Sequence, residues 1–450
     1  MSREDYLAWA NETFDIRRIF DKPEALKGLR VVELCTLILG PAHAVFLGEM
    51  GAEVIKVELP GTGDTMRYVS PRGMFWQNQS LGFFSENRNK YHVTIDVRKA
   101  EGKELFKKLI ARADVFIENL TAGTMDEWGL GYHQLSEINP GLIYIAKNGF
   151  GQWGPYAKGR ASYDAVAQAQ SGIGYITGFP GRPPLKMGIF IGDYFGAIMS
   201  AVSVMAALHY RKRTGRGQFI DYAQSEGLIR MLDWTWAYQY LTGRDRDRYG
   251  NWDVAVCPSG IFRCRDGFIA VAAVTDEEFA SLARAMGRPE LAGDARFATL
   301  AQRLVEENSQ ALHRIMDEWA AGHTQAEIDR LGGEYGFAAS PVYSEADTYK
   351  NEHWRARGAT WQHEDPVYGD TVEYGPVVKM SETPGRIKWS AKPVGFDNEF
   401  VFSTILGLSR EEQAVLEAKG ITARWVDKVG AKPPDDWRGQ GRIFNREGEK

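Results

Sequence analysis

The residues best suited to chemistry in this chain lie within residues 185–200, at the start of a predicted helix. An apolar run over residues 187–191 predicts a buried strand, Gly192 a tight turn, and Asp193 the first residue of the helix. A carboxylate in that position can cap the free N–H groups of the helix. It can also act as a nucleophile, because it sits at a positive helix end beside a glycine that lets a ligand approach. On its own, the stretch favours the cap.

Two further groups of residues suit chemistry. Tyr163 and Asp164 stand at a predicted helix start after a glycine-rich loop, where a helix cap is an equally good interpretation. Residues 87–90 place two amides and the cations Arg88 and Lys90 in one short loop. The fork of an arginine and the point charge of a lysine both suit phosphate groups. The alternative for the two cations is exposed surface, which the sequence alone favours.

The elements that would position these residues alternate between strand and helix. β-branched runs at residues 31–32 and 54–57 flank a helical pattern that ends at Gly51, which predicts a βαβ unit and a parallel sheet. Further strands are predicted at residues 92–97, 115–118, 142–146 and 219–222. The first two hundred residues therefore predict a doubly wound α/β fold. The first turn, at Leu39, Gly40 and Pro41, lacks the GxGxxG spacing, which argues against a classical dinucleotide site.

The pattern changes near residue 250. Residues 261–274 predict a hairpin that turns at Asp266 and Gly267, and helices are predicted at residues 277–286, 302–320 and 324–332. Together they predict a small α+β domain that ends near Val342. Beyond it, strands are predicted at residues 359–363 and 371–374 and a helix at residues 410–419, and the polar end from Lys432 is expected to be mobile.

Composition argues against several classes of protein. The net charge is -5 and the sequence has no sustained stripe of Lys and Arg, so a nucleic-acid partner is not expected. The three cysteines form neither a disulfide framework nor a CxxC pair, and the histidines show no HxxxH or HExxH spacing, so no metal site is expected. The start is polar, and no apolar run of membrane-spanning length is evident. We therefore expect a cytoplasmic protein without a membrane partner.

The order of motifs along the chain resembles the class III CoA-transferases, the CaiB/BaiF-like family of formyl-CoA transferase and carnitine CoA-transferase. The resemblance runs from about Leu26 to Leu408. The matching stretches are LKGLRVVEL, GP followed by LGEMGAEVIKVE, GTGD, NRNK with TIDVRKAEGKELFKKLIARADVFIEN, GFGQWGPY, YDAVAQAQSG, the turn before Asp193, RKRTGRGQFID, GIFRCRDG and FAASPVYS. Each stretch is weak by itself, and their common order makes the resemblance strong.

The resemblance implies a Rossmann-like large domain built from both chain ends, with a smaller α+β domain between them. It also implies that two such chains interlock as a homodimer. Residues 1–27 have no strong pattern and predict an irregular N-terminal arm. Together with the patterns along the chain, the resemblance predicts the first part of the large domain over 28–225, a linker helix and loop over 226–254, the small domain over 255–345, and a return linker with the rest of the large domain over 346–450.

The resemblance makes Asp193 the covalent nucleophile. Asp193 would attack an acyl-CoA thioester, the CoA thiolate would convert the resulting anhydride into an aspartyl-CoA thioester, and a free carboxylic acid would complete the exchange. The acyl site would be lined by Tyr163, Asp164, Ile38, Leu39 and Gly192. CoA would contact Arg88, Lys90, Asn119, Leu120 and Arg67. CoA and acyl-CoA are substrates in this scheme, and it requires no permanently bound cofactor and no metal.

Three departures from formyl-CoA transferase bear on the substrate. Ile38 stands where that enzyme has a glutamine, and Leu59 stands where it has an arginine that contacts CoA. Residues 258–260 occupy the approximate region of its tetraglycine loop. We therefore expect an acyl group larger than formate or oxalate, such as a carnitine-like, aromatic or branched acid.

Two other functions remain open. The same fold hosts α-methylacyl-CoA racemases, which need a base and an acid on opposite faces of the α-carbon. The resembling racemase has a histidine where this chain has Tyr163, and a tyrosine is a poor base at neutral pH. The other is a non-catalytic acyl-CoA-binding protein, in which Asp193 is only a helix cap. The order of motifs favours the transferase over both.

Overall fold

The structure is a computed structural model that describes residues 1–76, 78–157, 160–365 and 367–425. The polar end predicted from Lys432 lies outside these residues. The chain divides into two compact units: the larger contains residues 1–171, 187–233 and the described residues from 352 onward, and the smaller contains residues 172–186 and 234–351. The segment 172–186, which the sequence analysis assigned to the large domain, therefore belongs to the smaller unit.

The longest helix of the described residues carries Asp193. In chain order the helices are α1 (Arg3–Thr13), α2 (Leu39–Glu49), α3 (Leu81–Asn87), α4 (Ala100–Ile110), α5 (Thr124–Glu127), α6 (Tyr132–Ile138), α7 (Asp164–Ser171), α8 (Ile173–Ile176), α9 (Ile191–Thr214), α10 (Gln224–Arg230), α11 (Thr235–Thr242), α12 (Asp276–Ala285), α13 (Leu300–Arg303), α14 (Glu306–Ala321), α15 (Gln325–Tyr335), α16 (Glu345–Lys350), α17 (Glu352–Ala356), α18 (Asn398–Phe400) and α19 (Arg410–Ala418). Segments of 3₁₀-helix lie at Ile16–Asp21, Thr65–Arg67, Pro71–Gly73 and Pro289–Gly293, and a π-helical segment lies at Val401–Ile405.

The sequence analysis expected an irregular N-terminal arm, but the first part of this arm forms helix α1. The Ser2 hydroxyl accepts the N–H of Asp5, and the Asp5 carboxylate accepts the N–H of Ser2. This reciprocal pair is a capping box, which satisfies two of the free N–H groups at the helix start. The helix therefore has a local signal that the sequence analysis overlooked.

Six parallel strands form the central sheet of the larger unit. They are β1 (Arg30–Leu34), β2 (Glu53–Glu58), β3 (Lys90–Thr94), β4 (Val115–Glu118), β5 (Ile143–Asn148) and β6 (Gln218–Ala223). Their order in the sheet is β3-β2-β1-β4-β5-β6, and every adjacent pair is parallel. This is the doubly wound order, which reverses direction between β1 and β4. The predicted mixed α/β fold with a parallel sheet is confirmed.

Helices cover both faces of this sheet, which explains why the strands read as continuous apolar runs. On one face, Phe106 of α4 and Leu135 of α6 join Phe116 of the sheet in a buried cluster. On the other face, Leu47 of α2 and Val204 of α9 join the inner strands. Helices α2 and α9 also pack on each other. This second face therefore holds the helix that carries Asp193.

Helix α9 corrects the expectation that no apolar run reaches membrane-spanning length. By length and composition alone it could cross a membrane, with a mean hydropathy of 1.5 over its most apolar window, of which 33% is buried. Its contacts with α2, β5 and β6 are those of a core helix of the larger unit. Its other face stays apolar and exposed at Ile198, Met199 and Val202.

The smaller unit has its own antiparallel sheet of three strands, β7 (Ser259–Arg263), β8 (Phe268–Ala272) and β9 (Ala338–Pro341), in the order β9-β8-β7. The hairpin of β7 and β8 turns around Asp266 and Gly267, as predicted. Phe279, Leu312 and Ile328 of three helices pack beneath it in a separate core. In the larger unit, a further hairpin pairs β10 (Thr360–Asp365) with β11 (Gly369–Tyr374), and a two-residue ribbon pairs Phe75–Trp76 with Gln79–Ser80.

Candidate active site

Asp193 lies in the first turn of α9 but does not cap the helix. The helix begins at Ile191, and its N-cap residue Phe190 makes no side-chain cap. The interpretation of Asp193 as a helix cap is therefore wrong. Its partly buried carboxylate instead accepts a hydrogen bond from the Gln224 side chain, with 2.8 Å between Nε2 and Oδ1. The carboxylate can therefore react without removing a cap from its own helix.

The cap of α9 comes from Asp164, a buried residue at the start of α7. Its Oδ1 accepts the N–H of Gly192 at 2.8 Å, and its Oδ2 accepts the amide of Gln168 at 2.6 Å. A Cβ at Gly192 would lie 3.1 Å from the same Asp164 oxygen, so a glycine allows this close approach. Asp164 is thus a helix cap, as one interpretation held, but for α9 rather than for its own helix.

Residues 187–191 do not form the predicted buried strand. Residues 187–190 are irregular, with Ile189 and Phe190 exposed, and Ile191 is the first residue of α9. The N–H of Met187 donates to the side-chain oxygen of Gln168 at 2.9 Å, so a side chain of α7 takes the place of a neighbouring strand. A short apolar run can become a strand only where a sheet edge is available to it, which periodicity alone does not show.

The surroundings of Asp193 favour its neutral form. Burial, together with the negative charge of Asp164, raises the pKa of Asp193 to about 7. The cation of Lys147 and the hydrogen bond from Gln224 act in the opposite direction. Near neutral pH, Asp193 is therefore ionised in a substantial fraction of molecules. In those molecules its surroundings make the negative charge less stable than it would be in water.

Lys147 and Gln224 are the site residues that sequence reasoning missed. Lys147 ends the apolar part of β5, is fully buried, and donates from Nζ to the carbonyl oxygen of Leu39 at 2.6 Å. A lysine directly after an apolar strand was a signal that the sequence did contain. Gln224 begins α10, and no motif or spacing marks it, because only the fold brings it to Asp193.

The predicted acyl-site residues come from the starts of three helices, α2, α7 and α9. Ile38 and Leu39 are buried at the start of α2, and Leu39 reaches α9 at Gly196, one turn beyond Asp193. Tyr163 directly precedes α7 and is largely exposed. Asp164 and Gly192 are joined by the hydrogen bond already described.

Two of the predicted CoA contacts, Asn119 and Leu120, follow β4 at the point where the strand order reverses. Asn119 accepts the N–H of Thr36 at 2.9 Å and donates to its carbonyl oxygen at 2.8 Å, which ties the ends of β4 and β1 together. Leu120 lines a small pocket there with Thr36 and Gly63. Open α/β sheets bind ligands in this crevice, outside the carboxyl ends of the strands.

The three predicted cations are buried in internal ion pairs. Arg67 pairs with Glu58 at 2.7 Å and Lys90 with Glu33 at 2.9 Å. Arg88 pairs with Glu49. The interpretation of Arg88 and Lys90 as exposed surface is therefore wrong. Their burial also argues against direct contact with the phosphates of CoA, because each cation already has a carboxylate partner that the sequence spacing could not reveal.

No cluster of three or more metal-ligating side chains occurs in the part of the chain that the structure describes.

The sequence of the chain is similar to those of known CoA-transferases. The family model described as CoA-transferase family III matches residues 26–398. The succinyl-CoA–D-citramalate CoA-transferase of Chloroflexus aurantiacus is 38% identical over 400 residues, which cover 89% of this chain and 98% of that protein. The succinyl-CoA:mesaconate CoA-transferase of Haloarcula hispanica is 36% identical, over 80% of this chain and 91% of that protein.

The fold gives the same result. The crystal structure of a CaiB/BaiF family protein from Brucella suis matches with a TM-score of 0.74 at 32% identity, covering 85% of this chain and 99% of that one. The resemblance inferred from the order of the motifs is thereby confirmed, since the match extends over most of the chain. The chain is a member of CoA-transferase family III.

Proposed function

We propose that the chain transfers CoA from an acyl-CoA to a free carboxylic acid through covalent intermediates on Asp193. One observation carries this proposal: a partly buried carboxylate sits in the first turn of a helix whose cap is supplied by another residue, Asp164. Such a carboxylate can be converted into an anhydride or a thioester while the backbone beneath it stays in place.

The exchange balances without an external energy source. A carboxylate oxygen of Asp193 attacks the thioester carbon of the donor, the C–S bond breaks, and CoA leaves as a thiolate. The thiolate then attacks the Asp193 carbonyl of the anhydride and releases the donor acid as its carboxylate. The acceptor carboxylate attacks the carbonyl of the aspartyl-CoA thioester, the C–S bond breaks, and a second anhydride forms with release of the thiolate. The thiolate then attacks the acceptor carbonyl of this anhydride, which gives the new acyl-CoA and returns Asp193 as its carboxylate. One thioester replaces another, so no proton, electron or phosphate is consumed.

The neighbours of Asp193 serve this sequence in distinct ways. Gln224 orients the carboxylate because its side-chain amide donates a hydrogen bond to Oδ1. The same amide can keep donating to this oxygen when Asp193 is acylated and Oδ1 is a carbonyl oxygen. The N-terminal end of α9 favours negative charge on the oxyanions. Partial burial limits the access of water to the anhydride, which would otherwise be hydrolysed.

For the substrates, we propose succinyl-CoA as donor and a small dicarboxylic acid as acceptor. The support comes from the two related enzymes, whose names pair succinyl-CoA with D-citramalate and with mesaconate. The sequence analysis expected a carnitine-like, aromatic or branched acid as substrate. The acceptor that we propose here is a small dicarboxylic acid instead. The CoA nucleotide would lie in the crevice at Asn119 and Leu120.

Trapping of the intermediate tests this function. Incubation with succinyl-CoA and hydroxylamine should convert Asp193 into a hydroxamate, because hydroxylamine attacks both the anhydride and the thioester. Peptide mass spectrometry locates the modification. Asp193→Ala should show neither the modification nor CoA exchange, while its circular dichroism spectrum stays that of the wild type.

Three results would overturn the proposal. Exchange that persists in Asp193→Ala would place the nucleophile elsewhere. Rapid uptake of deuterium at the α-carbon of an acyl-CoA in heavy water, without exchange of CoA, would identify a racemase instead. Binding of acyl-CoA with neither reaction would identify a non-catalytic binding protein.

A further inference from the structure

Lys147 is a fully buried cation close to the first turns of α9. Its side chain is fully buried, and Nζ donates to the Leu39 carbonyl oxygen at 2.6 Å and lies 5.8 Å from the centre of the Tyr222 ring. The side chains of Leu39 and Tyr222 both meet α9 at Gly196, where an added Cβ would lie 2.6 Å from one and 2.7 Å from the other. The lysine is therefore held by two residues that also contact the helix of Asp193.

The groups around this pair come from several elements. Those that act on Asp193 are Asp164 of α7, Glu86 of α3, Gln224 of α10 and Lys147 of β5, with Tyr222 of β6 nearby. Those that act on Lys147 are Glu33 and Cys35 of β1 and Asp193 of α9, with His43 of α2 nearby.

Among these groups, Asp193 is the carboxylate left to balance Lys147. Glu33 already pairs with Lys56 at 3.3 Å and with Lys90 at 2.9 Å. Burial raises the pKa of the Cys35 thiol and lowers that of His43, so both are neutral near pH 7. Burial also lowers the pKa of Lys147 to about 7, while the charge of Asp193 opposes that shift. A buried cation and the reactive carboxylate therefore stabilise each other's charge.

We infer that Lys147 is a positioning residue that keeps Asp193 ionised, and hence nucleophilic, near neutral pH; the inference rests on the proposed function. The lysine touches neither donor nor acceptor in this account. It acts through its positive charge, which favours the carboxylate over the carboxylic acid. The reaction step itself is unchanged: the oxygen of Asp193 attacks, and the thiolate leaves.

A consequence follows for the covalent intermediates. In the anhydride and in the aspartyl-CoA thioester, Asp193 is neutral, so Lys147 loses the negative charge that favours its protonated form. That arrangement raises the free energy of the acylated forms relative to the free carboxylate. Lys147 therefore also favours release of the acyl or CoA group from Asp193, which keeps the intermediates short-lived.

The test is the pH dependence of acylation in Lys147→Met. Formation of the Asp193 adduct from succinyl-CoA is followed in single turnovers by acid quench and mass spectrometry, from pH 5.5 to 9.5. The wild-type rate should rise with pH and level off above about pH 7, where Asp193 is ionised. In the variant, the midpoint should move up by about one to two pH units, so that the rate at pH 6 falls about 10- to 100-fold and recovers at pH 9.5.

Two further variants make the result specific. Lys147→Gln keeps a donor for the Leu39 carbonyl without the charge, so it should show the same shift if Lys147→Met fails to fold. Lys212→Met removes one positive charge from the exposed, far end of α9 and should leave the midpoint unchanged, because that end lies well beyond the screening distance in salt.

The outcomes separate the inference from the function on which it rests. Absence of any Asp193 adduct in the wild type would overturn the proposed function. If the wild type forms the adduct but the midpoint is unchanged in both Lys147 variants, the proposed role of Lys147 is overturned and the proposed function is not. This holds even if the variants react more slowly by the same factor at every pH. An alkaline shift in both variants supports the inference.

Discussion

The surroundings of Asp193 in the folded protein disfavour its ionised form, so the free energy of unfolding depends on pH. The pKa of Asp193 rises from 3.8 to about 7 on folding, mainly because of burial. The folded state therefore holds this proton more tightly than the unfolded chain. As pH rises from about 4 to 7, the unfolded chain loses the proton first, so the stability of the fold decreases over that interval.

Replacement of the carboxylate should therefore stabilise the protein while abolishing activity. We expect Asp193→Asn to raise the free energy of unfolding by about 1–3 kcal/mol at pH 8, and by less at pH 5, because the amide carries no charge that must be buried. Urea unfolding at the two pH values measures this. An equal effect at both pH values, or a destabilisation at pH 8, would contradict the conclusion that the ionised form of Asp193 is unfavourable in the folded protein.

At the scale of elements, the site depends on how closely α9 approaches the sheet. Gly196 permits that approach, since Leu39 of α2 and Tyr222 of β6 occupy the space that a side chain would need. The same two residues hold Lys147. The packing of three elements at one glycine therefore fixes the position of the lysine relative to Asp193.

A methyl group at Gly196 should push these elements apart. We expect Gly196→Ala to destabilise the fold by about 1–3 kcal/mol through overpacking, and to slow adduct formation at Asp193. The matched control is Gly333→Ala, at an exposed position of α15 where an added Cβ meets no atom within 4 Å. That change should stabilise the fold by about 0.5–1 kcal/mol. Thermal unfolding compares the pair, and similar effects of both substitutions would refute the packing argument.

At the scale of the whole molecule, one side of α9 is both apolar and exposed. Ile198, Met199 and Val202 form an apolar stripe there, and Val202 is 59% exposed. Contiguous apolar surface of this kind usually marks an interaction site. Because the family resemblance implies a homodimer, we propose that two copies of the chain associate through this stripe.

A charge on this stripe should separate the two copies. We expect the wild type to be a dimer and Val202→Glu to be a monomer or to dissociate at least tenfold more readily, because a buried unpaired carboxylate is unfavourable. Size-exclusion chromatography with light scattering gives the mass. Val415→Glu, at a 53% exposed valine of α19, is the control and should remain dimeric. A monomeric wild type would contradict the proposal.

Local patterns in the sequence predicted most strands and helices but not the contacts that build the site. The strand at residues 115–118 was predicted with its exact bounds, because it is a continuous buried run. The cap of α9 was misassigned, because Asp164 precedes Gly192 by 28 residues and only the fold joins them. Gln224 was missed for the same reason.

Burial of charge was the other property that the sequence could not reveal. Arg88 and Lys90 look like surface residues in a polar loop, yet their partners Glu49 and Glu33 come from α2 and β1. Ion pairs of this kind depend on three-dimensional proximity, for which a single sequence carries no signal. The family resemblance supplied Asp193 as nucleophile, but not the buried lysine behind it.

The assignment of the helix cap to Asp164 has a consequence for how the protein would work over many cycles. Asp193 changes its chemical form repeatedly in the proposed exchange, whereas the bond between Asp164 and the Gly192 N–H takes no part in it. This hydrogen bond can therefore persist through every intermediate, and neither direction of exchange requires a new cap at the start of α9. The cap would then serve transfer in both directions equally, and the net direction would be set by the concentrations of the two acids and their CoA esters and by the equilibrium constant.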